Sequence, residues 1–336
     1  MFRVRILRSL AAVAFIVAST HVAFSAAVGL TLDAAYQHRI FDIRRWPVDF
    51  SAPGAPDAVQ RFTDAVTEMV SAFLTGHDTT RTGSTIFYGS SFTYGYPWQE
   101  SVITSYRYGV LSGKPTLNVS VIGARMSMLE NGILCGARNA GIRSATAIVE
   151  LPVINAAAAL LNEQTDGVDQ TACRRTIGRR RSPVFAARHP LGIGWTSFIW
   201  DDKAYAKGDE SIVLAPVPDD YFVTAVRFAE IEGRFRSQVM AVARAAQEVA
   251  DRVYVFPSPV FLPGVTEVGR DADAVRAQLA AALDACRAVP GVVCLDPSAF
   301  YSRRDAYYNM THLNQHGHQA MAEWLTSAVG AEPSTR

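Results

Sequence analysis

Charge of one sign is what this chain lacks most clearly. Its 32 Lys and Arg residues nearly balance 31 Asp and Glu, for a formal net charge of +1. No global field therefore recruits nucleic acid or an acidic membrane surface. Cysteine is scarce, with four in 336 residues. None of them forms a Cys-x-x-Cys pair, which removes support for zinc sites of that kind. Neither a metal nor a cofactor is expected. Hydrophobic residues are not lacking: at 49% of the chain they exclude a disordered protein and can bury a sizeable core.

The longest stretch without Asp, Glu, Lys or Arg runs from Leu10 to about Leu32, behind Arg3, Arg5 and Arg8. A basic start followed by an apolar run has the form of a secretory signal. Ala23-Phe24-Ser25 offers the small-x-small pattern of a cleavage site. The same run, at roughly 20 residues, is also long enough to span a bilayer as an uncleaved anchor. Either way the basic flank stays inside and the body is exported, to the periplasm or another extracytoplasmic space. Residues 1–27 are thus read as signal peptide or membrane anchor. Export suits the cysteines, because disulfides persist in oxidising compartments. Cys286 and Cys294 bracket the turn Val289-Pro290-Gly291 and are an expected bridge, with Cys135 and Cys173 as the second pair.

Residues 28–80 form an N-terminal extension. It is irregular as far as Pro56, after which Val59, Phe62, Val66, Met69, Val70 and Phe73 recur at the spacing of an amphipathic helix. From 81 to 330 apolar strands alternate with helical segments. Strands are predicted at Ser84–Tyr88, Thr116–Gly123, Ala145–Leu151, Arg252–Phe256 and Gly291–Leu295. Helices are predicted from Pro97-Trp98 towards Tyr108, near residues 126–140, at Asp220–Ala250 with Asp219 or Asp220 as cap, at Ala272–Arg287 and at Gln315–Val329. That alternation predicts a three-layer α/β/α fold on a mainly parallel sheet of about five strands. Residues 162–212 break it with Arg174, Arg175, Arg179, Arg180 and Arg181, then Trp195, Phe198 and Trp200. This is an inserted loop or cap, either a basic and aromatic rim for an acidic or sugar substrate or a solvated surface.

Two segments carry the chemistry. The first predicted strand ends in Gly89-Ser90-Ser91, and the last helix is preceded by Asn309-Met310-Thr311-His312-Leu313-Asn314-Gln315-His316-Gly317-His318. A serine hydroxyl is a weak nucleophile until a positioned base takes its proton. Ser91 is the candidate nucleophile, set where ligands bind in such sheets, beyond the carboxyl ends of the strands. His312 is the candidate base, ahead of the helix that carries His316 and His318.

The serine turn and the His-Leu-Asn-x-x-Gly-His run resemble the SGNH (GDSL-like) hydrolase superfamily over about residues 84–328. The third predicted strand ends in Glu150-Leu151-Pro152, with no Gly-x-Asn-Asp block. That ending looks more like the extracytoplasmic SGNH proteins of polysaccharide O-acetylation and teichoic-acid modification. The resemblance implies Ser91 as nucleophile and His312 as base. It further implies backbone N–H groups of Ser91 and Gly123 in an oxyanion hole, with Asn155 as a candidate side-chain donor. Glu150 is either a buried structural residue or a substrate contact.

The family's acid position holds Asn309, and three outcomes follow. Asp305 reaches His312 as an alternative acid, or Asn309 orients the imidazole in a Ser-His dyad, or catalysis is lost and the fold binds glycan as an assembly factor. The implied activity is that of a serine esterase or O-acyltransferase, moving a short acyl group, chiefly acetyl, to or from a cell-envelope glycan. Its partners would be a carbohydrate or acyl-ester substrate and, for a transferase, a membrane-bound acyl-transfer partner. The Asn-x-Ser/Thr sequons at Asn118 and Asn309 fall in the predicted second strand and site and are read as accidental.

Overall fold

The computed structural model describes residues 84–95, 98, 102–121, 123–161 and 221–330, with isolated positions between 66 and 74 and at 212, 214 and 217. The expected signal or anchor segment, the insertion at 162–212 and Cys173 lie outside the described residues. All described residues fall in one compact unit, residues 38–178 and 207–336.

Five parallel strands form the sheet in the order β2-β1-β3-β4-β5. They are β1 Thr85–Tyr88, β2 Thr116–Asn118, β3 Ser144–Leu151, β4 Ala250–Pro257 and β5 Val292–Cys294. The central strands are apolar on both faces, as parallel strands covered by helices must be. Register aligns Phe87, Ile148 and Tyr254 in one cross-strand row and Ile86, Ala147 and Val253 in the next, all fully or nearly fully buried.

The first row faces α2 (Thr104–Ser112) and α8 (Gln315–Gly330), where Tyr108, Met321, Leu325 and Val329 complete an aromatic-rich core with Phe256, Phe261 and Tyr307. On the other face α5 (Ala225–Gln247) packs with α4 (Val153–Leu161) and α7 (Ala272–Arg287). Beside α5 lies α3, which runs through Met126–Met128, a π-helical stretch Leu129–Leu134 and Cys135–Asn139. The short helices α1 (Ser91–Tyr94) and α6 (Leu262–Glu267) follow β1 and β4. Ahead of the sheet, Val66 and Val70 are helical and fully or nearly fully buried, as the amphipathic spacing predicts, and Leu74 joins them. Among the described residues no helix is long and apolar enough to cross a membrane.

Three expectations are corrected by the structure. The helix predicted from Pro97-Trp98 starts only at Thr104. Trp98 is instead a buried anchor whose indole N–H donates to Leu313 O at 2.7 Å. The helix predicted from Asp220 begins at Ala225 behind Thr224, because Val223 O is taken by the Gln278 side-chain amide at 2.7 Å, and neither expected aspartate is its cap. β2 ends at Asn118, whose side chain bonds Thr93 O, Ser105 Oγ and Ser120 N–H at 2.8–3.0 Å and turns the chain. The segment Val153–Leu161 is helical as well. The Cys286–Cys294 bridge is present, with Cα atoms 6.0 Å apart. Cys135 is disulfide-bonded as well.

Candidate active site

Two loops meet beyond the carboxyl ends of β1, β3 and β4. The first is the turn from β1 into α1. Ser90 is the cap of that helix, accepting the Phe92 N–H with its side chain, and Ser91 is its first residue. The second is the loop 308–312, closed at its base by an antiparallel bridge between Tyr307 and Leu313. Phe261 N–H donates to Met310 O at 2.9 Å, and Tyr308 N–H to His312 O at 2.9 Å. The Trp98 indole ties down Leu313 from outside and stacks edge-on against Tyr308. Asn314 then starts α8 by accepting the Gly317 N–H at 2.9 Å. Gly317 is required there, since a methyl at its Cα would collide with Ala306 O.

These loops carry Ser91 Oγ to 2.9 Å from His312 Nε2. The other ring nitrogen, His312 Nδ1, lies 3.0 Å from Asn309 Oδ1. A carboxamide oxygen can only accept, so Nδ1 carries the proton and Nε2 offers its lone pair to the serine hydroxyl. Asn309 Oδ1 is itself held by the N–H groups of Thr311 and His312, both at 2.9 Å. The Thr311 hydroxyl sits 3.3 Å from His312 Nδ1 and 3.3 Å from Tyr221 Oη. Enclosure of the imidazole among these groups holds its pKa down to about 4 from the usual 6.5, because burial penalises the charged ring.

A small cavity of about 70 Å³ opens at the pair, lined by Ser91, His312, Pro152, Ile154, Asn155 and Tyr221 among others. Asn155 reaches it from the first turn of α4. Gly123 does not line it. That residue sits exposed at φ 77° on the turn after β2, held beside the serine turn by Val121 N–H donating to Gly89 O at 3.0 Å.

Asp305 is not the missing acid. Its exposed carboxylate is paired with Arg303 at 2.7 Å, and the guanidinium holds it below the usual carboxylate range. Of the two other histidines, His316 is exposed on α8, while His318 is fully buried with Nδ1 2.8 Å from Thr104 Oγ1. Glu150 is completely buried and outside the cavity lining, so it touches no substrate there. Its Oε2 accepts the Ser90 N–H at 2.6 Å and its Oε1 the Ser90 hydroxyl at 2.9 Å. Burial pushes its pKa up, against the pull of these hydrogen bonds. Sequence reading missed Tyr221, Thr311 and Ser258 as wall residues, for a lone polar residue in a loop carries no pattern. Among the described residues no cluster of His, Cys, Asp and Glu is arranged to hold a metal.

A parallel sheet with a serine nucleophile candidate after β1 and its histidine ahead of the closing helix is the arrangement that the resemblance to SGNH hydrolases implies. No protein-family model matches the chain, and no curated protein does. Solved structures do match. A member of the lipolytic protein G-D-S-L family from Veillonella parvula is 10% identical, covering 73% of this chain and 96% of its own, at a TM-score of 0.40. The lipase/acylhydrolase from Enterococcus faecalis is 10% identical over 76% of this chain and 100% of its own, at 0.39. A family two carbohydrate esterase from Clostridium thermocellum, solved in complex with cellohexaose, is 11% identical over 74% and 63%, at 0.38. Such likenesses concern the course of the chain and not its chemistry.

Proposed function

We propose that this protein is an exported serine esterase or O-acyltransferase that moves a short acyl group, chiefly acetyl, to or from a cell-envelope glycan. The observation that carries the reading is the 2.9 Å approach of Ser91 Oγ to the unprotonated nitrogen of the His312 imidazole. His312 Nε2 takes the Ser91 proton as Oγ bonds the ester carbonyl carbon. Collapse of the tetrahedral intermediate breaks the C–O bond, and His312 returns the proton to the departing alcohol. Acyl-Ser91 is then attacked by water or by a sugar hydroxyl, which gives up its proton to His312. Breaking of the acyl–Oγ bond, with His312 returning that proton to Ser91, yields the acid in the first case and a new ester in the second.

The oxyanion is assigned to the Ser91 N–H with help from the Asn155 amide, which lines the same cavity. A cavity of about 70 Å³ is far below the roughly 300–1,000 Å³ of a drug-sized ligand site. It supports an acetyl-sized group over a long fatty chain. Export is supported by the basic, apolar N-terminus and by the disulfide. A transferase would draw its acyl group from a membrane-bound partner.

Asn309 favours one rival, a glycan-binding or assembly protein with a spent site, because an amide places no charge beside the imidazolium. The two readings part on a chromogenic acetyl ester. The enzyme hydrolyses it and Ser91→Ala does not, whereas equal rates for both proteins leave only the binder.

A further inference from the structure

We propose that Glu150 is the positioning residue of the nucleophile: from the end of β3 its carboxyl group grips both hydrogen-bond donors of Ser90 and so fixes where Ser91 presents its hydroxyl and its N–H. The inference rests on the reading of Ser91 as nucleophile and adds to it a residue that meets neither substrate nor base.

The hydrogen bonds run in one direction. Phe92 N–H donates to Ser90 Oγ at 3.5 Å, the Ser90 hydroxyl donates to Glu150 Oε1 at 2.9 Å, and the Ser90 N–H donates to Oε2 at 2.6 Å. Ser90 is thereby clamped by backbone and side chain together, one residue before the nucleophile. A buried carboxyl group is costly, and at the end of an otherwise apolar strand a structural filler would be Val or Leu, like its neighbours Val149 and Leu151. The turn has been shaped around it. Gly89 leaves the space the carboxyl occupies, since a methyl on its Cα would collide with Glu150 Oε2 and with Thr93. The arrangement also gives a reason for serine and not aspartate at 90. A second carboxylate here would face the first at hydrogen-bond distance, and like charges in one buried site do not both ionise.

Misplacing a reacting atom by about 1 Å costs on the order of a hundredfold in rate, so the clamp is legible in turnover and not only in stability. The full-length protein is compared with Glu150→Met, close in size but without acceptors, and Glu150→Gln, which keeps one acceptor for the Ser90 N–H. Three readouts are taken: kcat and KM on a chromogenic acetyl ester, the rate of Ser91 labelling by a fluorophosphonate, and Tm. Glu150→Met is expected to lose about 30- to 100-fold in kcat and in labelling rate per folded molecule, with KM within twofold. Glu150→Gln restores most of both. Should Glu150→Met not fold, Ser90→Ala takes its place, with a loss of about fivefold, the worth of one hydrogen bond. A variant lacking the clamp that labels as fast as wild type overturns the positioning role, as does Glu150→Gln falling as far as Glu150→Met. Wild type that never labels at Ser91 overturns the nucleophile reading itself and the positioning role with it.

Discussion

Replacing Asn309 by aspartate puts a charge where the geometry already holds an acceptor. Asn309 Oδ1 is 3.0 Å from His312 Nδ1, fixed by two backbone N–H groups, so Asn309→Asp needs no rearrangement. A carboxylate and an imidazolium about 4 Å apart attract by roughly 4 kcal/mol at an effective dielectric constant near 20. Part of that is lost in desolvating the new charge, leaving about 1–3 kcal/mol. This corresponds to a gain of roughly 5- to 150-fold in kcat and a rise of about one to two units in the His312 pKa. In serine proteases the opposite change, Asp to Asn, costs about 10⁴ because the histidine is left in the wrong tautomer. Here the carboxamide oxygen faces Nδ1 and the correct tautomer is kept, so the gain is expected to be well short of that. The assay is discontinuous hydrolysis of a chromogenic acetyl ester from pH 3.5 to 8, with Ser91→Ala as background. Asn309→Asp should turn over faster at pH 7, and its acidic limb should move upward. An unchanged rate together with an unmoved limb would refute the reasoning that His312 is the base and Asn309 its orienter.

Other outcomes follow from the same structure. Wild-type activity requires neutral His312, so with a pKa near 4 the rate should hold to about pH 5 and fall only below it; an acidic limb near 6.5 would contradict the burial of the ring. Stability should track the same group: the unfolded chain binds the proton more tightly, so stability is full above about pH 6.5. It is lost by on the order of 3 kcal/mol as pH falls to about 4, a change that His312→Gln should remove from denaturant midpoints. Reducing the Cys286–Cys294 bridge, whose loop spans 8 positions, should cost about 2–3 kcal/mol on the chain-entropy account, measured as a drop in Tm for the double serine variant with esterase rate intact.

The fold was largely legible because its signals are cumulative. Apolar runs such as Thr146–Leu151 and Val253–Phe256 are buried on both faces and alternate with alanine-rich helices, and many residues agree on each element. Helix α7 matches its predicted range of Ala272–Arg287. What failed were boundaries decided by one distant contact: Gln278 seizing Val223 O, or Trp98 leaving a helix to hold Leu313. The serine and histidine stood out through their local setting. The Glu150–Ser90 clamp spans 60 positions, and nothing within either segment announces it. Whether Asn309 or Asp305 serves His312 was equally hidden, since it depends on which way Arg303 draws a carboxylate.

Trapping the intermediate tests the account most directly. Brief mixing with a chromogenic acetyl ester, acid quench and peptide mass spectrometry should find acetyl on Ser91 in wild type, none in Ser91→Ala and little in His312→Ala. An enzyme that releases the chromophore with Ser91 unmodified, or with the acetyl group on another residue, would contradict it.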